Sequence, residues 1–173
     1  MKRQQLGMWL FLLSDSLTFG ALLIVYAVLR IGNPEWPRPF ALSPAIISAT
    51  GMTIGLLASS LTMVWAVEAA KAGDRRQTVR WLLATMLGGL VFIALHLNEW
   101  RHLETVTPIF QSVFYGITGL HMLHVTAGVI YLGILAAMKC KPADIETGGL
   151  YWHFVDIVWM FVFPLVYLAA VKL

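Results

Sequence analysis

Three ionisable pairs in this sequence share one spacing. His96 and Glu99, His121 and His124, and His153 and Asp156 each stand at i, i+3, so each pair projects from one face of a helix, about one turn apart. A seventh ionisable residue, Asp15, stands alone in an apolar run. An acid and an imidazole at this distance can share a proton, hold two helices in register or ligate a metal. All seven lie within strongly apolar segments, where an ionisable group costs a few kcal/mol and needs a partner.

Ligand chemistry narrows on residue type. Di-iron bundles use Glu-x-x-His on two helices with further glutamates; here only the reversed order His96-x-x-Glu99 occurs, with too few buried glutamates. Haem held by two histidines needs a pair facing across helices, and His96, His121, His124 and His153 leave that possibility open. No Cys-x-x-Cys-His attachment motif is present. The single cysteine, Cys140, excludes an intrachain disulfide and a paired-cysteine metal site, and reads as a free thiol at the membrane edge. No phosphate-cradling loop or nucleophilic triad is present, and no basic stripe with interleaved aromatics suits nucleic acid.

The elements that must position these residues are membrane spans. Of 173 residues, 59% are hydrophobic and 12% charged, about half the charge of a soluble domain; mean hydropathy is +0.77. A spanning helix needs about 20 apolar residues. Five runs qualify, and the chain reads as all-α, a single membrane domain over 1–173 with helices at about 8–29, 44–70, 78–100, 110–138 and 149–171. A loop with Pro34, Pro37 and Pro39 follows the first. Ser43 then caps, and Pro44 opens, the second. Links at Lys71 to Gln77, Arg101 to Ile109 and Lys139 to Gly148 separate the rest, and Pro164 is expected to kink the last. The run after Lys2 and Arg3 is long and contains Asp15, so it reads as a retained helix rather than a signal peptide.

Eight Lys and Arg residues fall on the side of the N-terminus and four, Arg30, Arg38, Arg101 and Lys172, on the other. The positive-inside rule places the N-terminus in the cytoplasm and the C-terminus outside. In that topology Asp15, His124, His153 and Asp156 all lie roughly 6–10 Å from the cytoplasmic edge. They are expected to form one hydrogen-bonded cluster facing the bundle interior, as structural pairing or as proton handling. His96 and His121 read first as packing histidines, and Glu99 belongs to a separate outer layer. Glu68 reads as an interfacial charge near Lys71. Trp9, Trp65, Trp81, Trp100, Trp152 and Trp159 read as an interfacial belt. Gly51, Gly55 and Ser59 form a small-residue stripe on helix two, and Gly116, Gly119 and Gly128 recur on helix four, which argues for tight packing.

Five motifs in order resemble subunit III of the haem-copper oxidases, the cytochrome c and quinol oxidases. Residues 7–15, GMWLFLLSD, are similar to that family's GMWLF-x-x-SE. SSLTM at 59–63 and GDRR at 73–76 are family-like. NEW at 98–100 resembles its x-EW, TGLHMLHV at 118–125 its TG-x-HG-x-HV, and GLYWHFVDIVW at 149–159 its YWHFVD-x-VW. Asp15 stands where the family has glutamate, Met122 where it has glycine, and His96 where glutamine is expected.

The resemblance implies the short five-helix bacterial form, lacking two N-terminal helices of the mitochondrial subunit, in a plasma membrane. It implies a non-catalytic chain with no cofactor or metal of its own, with haem and copper in partner subunits. The implied partners are subunit I, subunit II and other small subunits, together with structural phospholipid in a cleft next to the first two helices. The implied role is to stabilise subunit I, support proton uptake and protect the catalytic site during turnover. Asp15, His121, His124, His153 and Asp156 match family motif positions. The related accessory subunit of nitric oxide reductases shares the fold and remains an alternative, as does a haem-binding membrane cytochrome; a transporter is a weaker one.

Overall fold

The computed structural model describes residues 3–33, 35–37, 44–101 and 107–167. Five helices make up its regular structure: α1 (Arg3–Gly32), α2 (Pro44–Lys71), α3 (Arg75–Trp100), α4 (Pro108–Ala137) and α5 (Pro142–Val166). Each contains a span long and apolar enough to cross a membrane. The expected Ser43 cap, Pro34, Pro39, Arg38, most of the Arg101 to Ile109 link, and the stretch up to Val171 and Lys172 lie outside the described residues.

Helix starts differ most from the sequence reading. α3 begins at 75 rather than 78, because Gly73 turns the chain at φ 76 and the Asp74 carboxylate accepts the Gln77 N–H at 3.0 Å. That bond satisfies one of the orphan donors of a helix N-terminus. α5 begins at 142 rather than 149. Pro142 occupies the first turn, where its missing N–H costs nothing, and Asp144 accepts the Lys141 N–H at 2.9 Å. The Gly148-Gly149 pair, which reads as a boundary, is instead helix interior. Its missing side chains admit neighbours: a Cβ on Gly148 would lie 2.7 Å from Leu135 Cδ1. Pro164 lies inside α5, close to its end.

Helices α2 and α3 form the most extensive pair. α5 packs on α2, α4 and α1, α3 packs on α4, and α1 touches chiefly α5 and α4. The bundle is thus four helices, α2 to α5, with α1 laid in the α4–α5 groove. α5 has the largest buried share and α1 the smallest. Arg75, at the start of α3, ties that helix to the end of α4: its guanidinium donates to Leu135 O at 3.3 Å and to Ala136 O. These are last-turn carbonyls of α4, where a cation also suits the helix dipole.

Trp152 and Trp159 do not join a belt at the membrane surface. Both are fully buried, whereas Trp9 and Trp65 are nearly half exposed. The reason is the position of α5, which packs on α2, α4 and α1. Trp152 lies over Gly89 of α3 and Gly128 of α4 and donates Nε1–H to Ser59 Oγ of α2 at 3.1 Å. One indole therefore meets three helices. Of the α2 stripe, Ser59 and Gly55 meet α3 at Gly88, where a Cβ would approach Ser59 Cβ to 2.6 Å. Gly89→Ala should place a methyl 2.6 Å from Trp152 Cη2 and destabilise the bundle by about 1–3 kcal/mol. Gly51→Ala, with open space around it, should change little. The unfolding midpoint in a denaturing-detergent titration separates the two.

Candidate functional site: buried acid and histidine pairs

The seven ionisable residues resolve into separate groups on different helix contacts. Asp15 of α1 meets His124 of α4, Oδ2 to Nε2 at 3.1 Å. His124 Nδ1 donates to its own helix at Leu120 O, 2.8 Å away. Nδ1 therefore carries a hydrogen for that carbonyl, and Nε2 faces the carboxylate, an acid and imidazole pair between α1 and α4. Phe19 stands edge-on to the His124 ring at 5.4 Å and covers the pair. Tyr151 of α5 donates its hydroxyl to His124 O at 3.0 Å and fixes the same turn.

His153 and Asp156 lie on the α2-facing side of α5. His153 Nδ1 bonds Ser60 Oγ of α2, and Ser60 also lies beside the buried Asp156 carboxyl. The layer expected to be one cluster is thus divided: Asp15 joins His124, and His153 and Asp156 share Ser60. The cause is the position of α5: Asp15 and His124 belong to α1 and α4, on the side of its Tyr151, whereas His153 of α5 meets Ser60 of α2. Depth places residues in a layer but not around an axis.

His121 joins neither group. It is wholly buried, and its Nε2–H donates to Val155 O of α5 at 3.1 Å. Trp159 packs on it at 5.0 Å and also stands perpendicular to the His96 ring at 5.5 Å. An indole therefore occupies the space between these two histidines. Trp159 itself donates to Thr53 Oγ1 of α2 at 3.0 Å.

His96 and Glu99 pair on α3 at 3.2 Å, Nδ1 to Oε2, and the Tyr167 hydroxyl, just past α5, donates to the same oxygen at 2.8 Å. Phe92 stacks parallel on His96, and Trp100 and Trp159 meet it edge to face. Among the described residues no group of three or more His, Cys, Asp or Glu is placed to hold a metal ion. Sequence reading missed Ser60, Tyr151, Tyr167 and Thr53. Hydroxyls in apolar helices commonly bond their own backbone, as Thr53 also does to Ala49 O, so residue type gives no signal of an interhelical role.

The sequence profile of the family described as Cytochrome c oxidase subunit III matches residues 1–171. The chain belongs to the cytochrome c oxidase subunit III family. It is similar to the Cytochrome bo(3) ubiquinol oxidase subunit 3 of Pseudomonas putida, 36% identical over 96% of this chain and 86% of that one. It is also similar to the Cytochrome c oxidase subunit 3 of Alkalihalophilus pseudofirmus, 33% identical over 98% and 88%. The Quinol oxidase subunit 3 of Bacillus subtilis is 33% identical over 94% and 85%. As a subunit III, the chain carries its acid and histidine pairs within a five-helix membrane bundle of a terminal oxidase.

Proposed function

We propose that this subunit III is the non-catalytic part of a respiratory haem-copper oxidase in a bacterial plasma membrane, with its N-terminus in the cytoplasm. It stabilises subunit I, contacts subunit II, binds structural phospholipid and supports proton uptake, while haem and copper sit in the partners. The observation that carries the proton role is the Asp15–His124 pair. It sets an acid and an imidazole of two helices 3.1 Å apart, Nε2 to Oδ2, within an apolar bundle, residue types able to exchange a proton.

Purification in mild detergent, with mass spectrometry of the co-purifying chains, tests the assignment. Subunits I and II of an oxidase are expected; recovery with a nitric oxide reductase would overturn it. In the purified complex, Asp15→Ala should shorten the catalytic lifetime several-fold and leave haem content unchanged. Wild-type lifetime at full occupancy of the variant would remove the pair from the mechanism.

A further inference from the structure

Three neighbouring hydroxyls of α2 bond their own helix: Thr53, Ser59 and Thr62 donate to Ala49 O, Leu56 O and Ser59 O. Ser60 is turned differently. Its Oγ lies against His153 Nδ1 of α5 and beside the Asp156 carboxyl, about one turn further along α5. The serine thus stands between an imidazole and an acid carried on one face of a single helix.

The three side chains differ in access. Asp156 is 5% exposed, and both its oxygens are enclosed, with Ser60 as the polar group beside them. His153 and Ser60 are half-buried. His153 is the outward member, on the face of α5 that runs back about two turns to Glu146, where Lys71 and Gln5 meet the carboxylate. The ionisable groups of the other helices packed on α5 bond elsewhere. Asp15 of α1 engages His124 of α4, His121 of α4 donates to Val155 O, and Glu68 of α2 pairs with Lys71.

Ser60 has one hydrogen and two neighbours able to accept it. Two arrangements give each of the three groups a partner. In one, Asp156 carries a proton and donates it to Ser60 Oγ, while Ser60 donates to His153 Nδ1. In the other, His153 Nδ1 carries the proton and donates it to Ser60 Oγ, while Ser60 donates to the Asp156 carboxylate. Chains of this kind polarise one another, so the two arrangements exchange as a unit. No helix moves between them; the serine hydrogen changes side.

We propose that His153, Ser60 and Asp156 form a proton relay within this chain, with His153 as the entry, Ser60 as the carrier and Asp156 as the store. A proton arriving at His153 Nε2 makes the imidazolium. The Nδ1 hydrogen then passes to Ser60 Oγ as the serine hydrogen passes to Asp156. The ring is left neutral with Nε2 protonated, and the carboxyl has gained one proton. Release runs through the same steps in reverse. The relay shares no residue with Asp15–His124, and so goes beyond the role proposed for that pair.

Infrared difference spectroscopy of the complex purified in mild detergent tests this, because a protonated carboxyl has a carbonyl stretch that a carboxylate lacks. A carbonyl band lost in Asp156→Asn identifies the store, and that band should fade as pH is raised. Its shift on transfer into D2O times the exchange of the stored proton. Ser60→Ala should slow that exchange at least tenfold, and His153→Gln should do the same. Ser60→Thr, which keeps the hydroxyl, should exchange at the native rate. A purely structural role for Ser60 predicts the opposite sign, since a loosened contact admits solvent and speeds exchange. Exchange in Ser60→Ala as fast as in the native complex, or faster, overturns the proposal. So does the absence, at every pH, of a carbonyl band that depends on Asp156. Both readouts lie on Asp156 itself, so they stand or fall separately from co-purification and catalytic lifetime.

Discussion

Trp152→Ala is expected to be the most damaging single truncation in the bundle, at roughly 3–5 kcal/mol. Lipid tails are as apolar as a protein core, so little of this cost comes from transfer between phases. It comes from lost dispersion contacts and from the hole left behind. Gly89 and Gly128 have no side chains with which to fill that hole, since their backbones are what the indole rests on. Ser59 Oγ loses its donor as well. The control is Trp65→Ala, at a position 43% exposed, with an expected cost of about 1 kcal/mol or less. Equal midpoints for the two variants in a denaturing-detergent titration would show that α5 is not the centre of the packing.

Glu99→Ala should cost nearly as much, about 3–5 kcal/mol, because it removes one member of a buried pair and leaves the other. His96 is wholly enclosed by Phe92, Trp100, Phe114 and Trp159, and water does not reach its ring. Tyr167 loses the acceptor of its 2.8 Å bond. The combined change His96→Phe with Glu99→Leu should recover at least half of the loss, since no buried polar side chain then needs a partner. A double-mutant cycle reads this directly, with an expected coupling of about 1–3 kcal/mol. Additive single losses would mean that the 3.2 Å approach of Nδ1 to Oε2 carries no energy.

Helix number and type were legible from composition because a bilayer leaves few alternatives for an apolar run of this length. His96 lies beside Glu99, one turn away on the same helix. Partnerships between helices followed a different rule. Asp15 and His124 met, but His153 and Asp156 turned to Ser60, because rotation about α5 is set by which neighbours pack against Trp152 and Trp159. Those two tryptophans look identical to Trp9 and Trp65 in a string of letters. Only the helices packed on the Trp152 and Trp159 side of α5 distinguish an indole in the core from an exposed one. The early start of α5 was similarly hidden: Gly148 and Gly149 read as a break until Leu135 and Val67 are seen resting against them.

The central place of α5 also bears on the order in which the chain can mature. α1 to α4 leave the ribosome first, with Ser59, Ser60, Thr53 and Glu99 already in the membrane. The side chains that engage them, Trp152, His153, Trp159 and Tyr167, arrive later. Until α5 inserts, the nascent chain is a set of helices with glycine-lined hollows, a ready substrate for membrane proteases. Survival of the newly made chain is thereby tied to its last described helix.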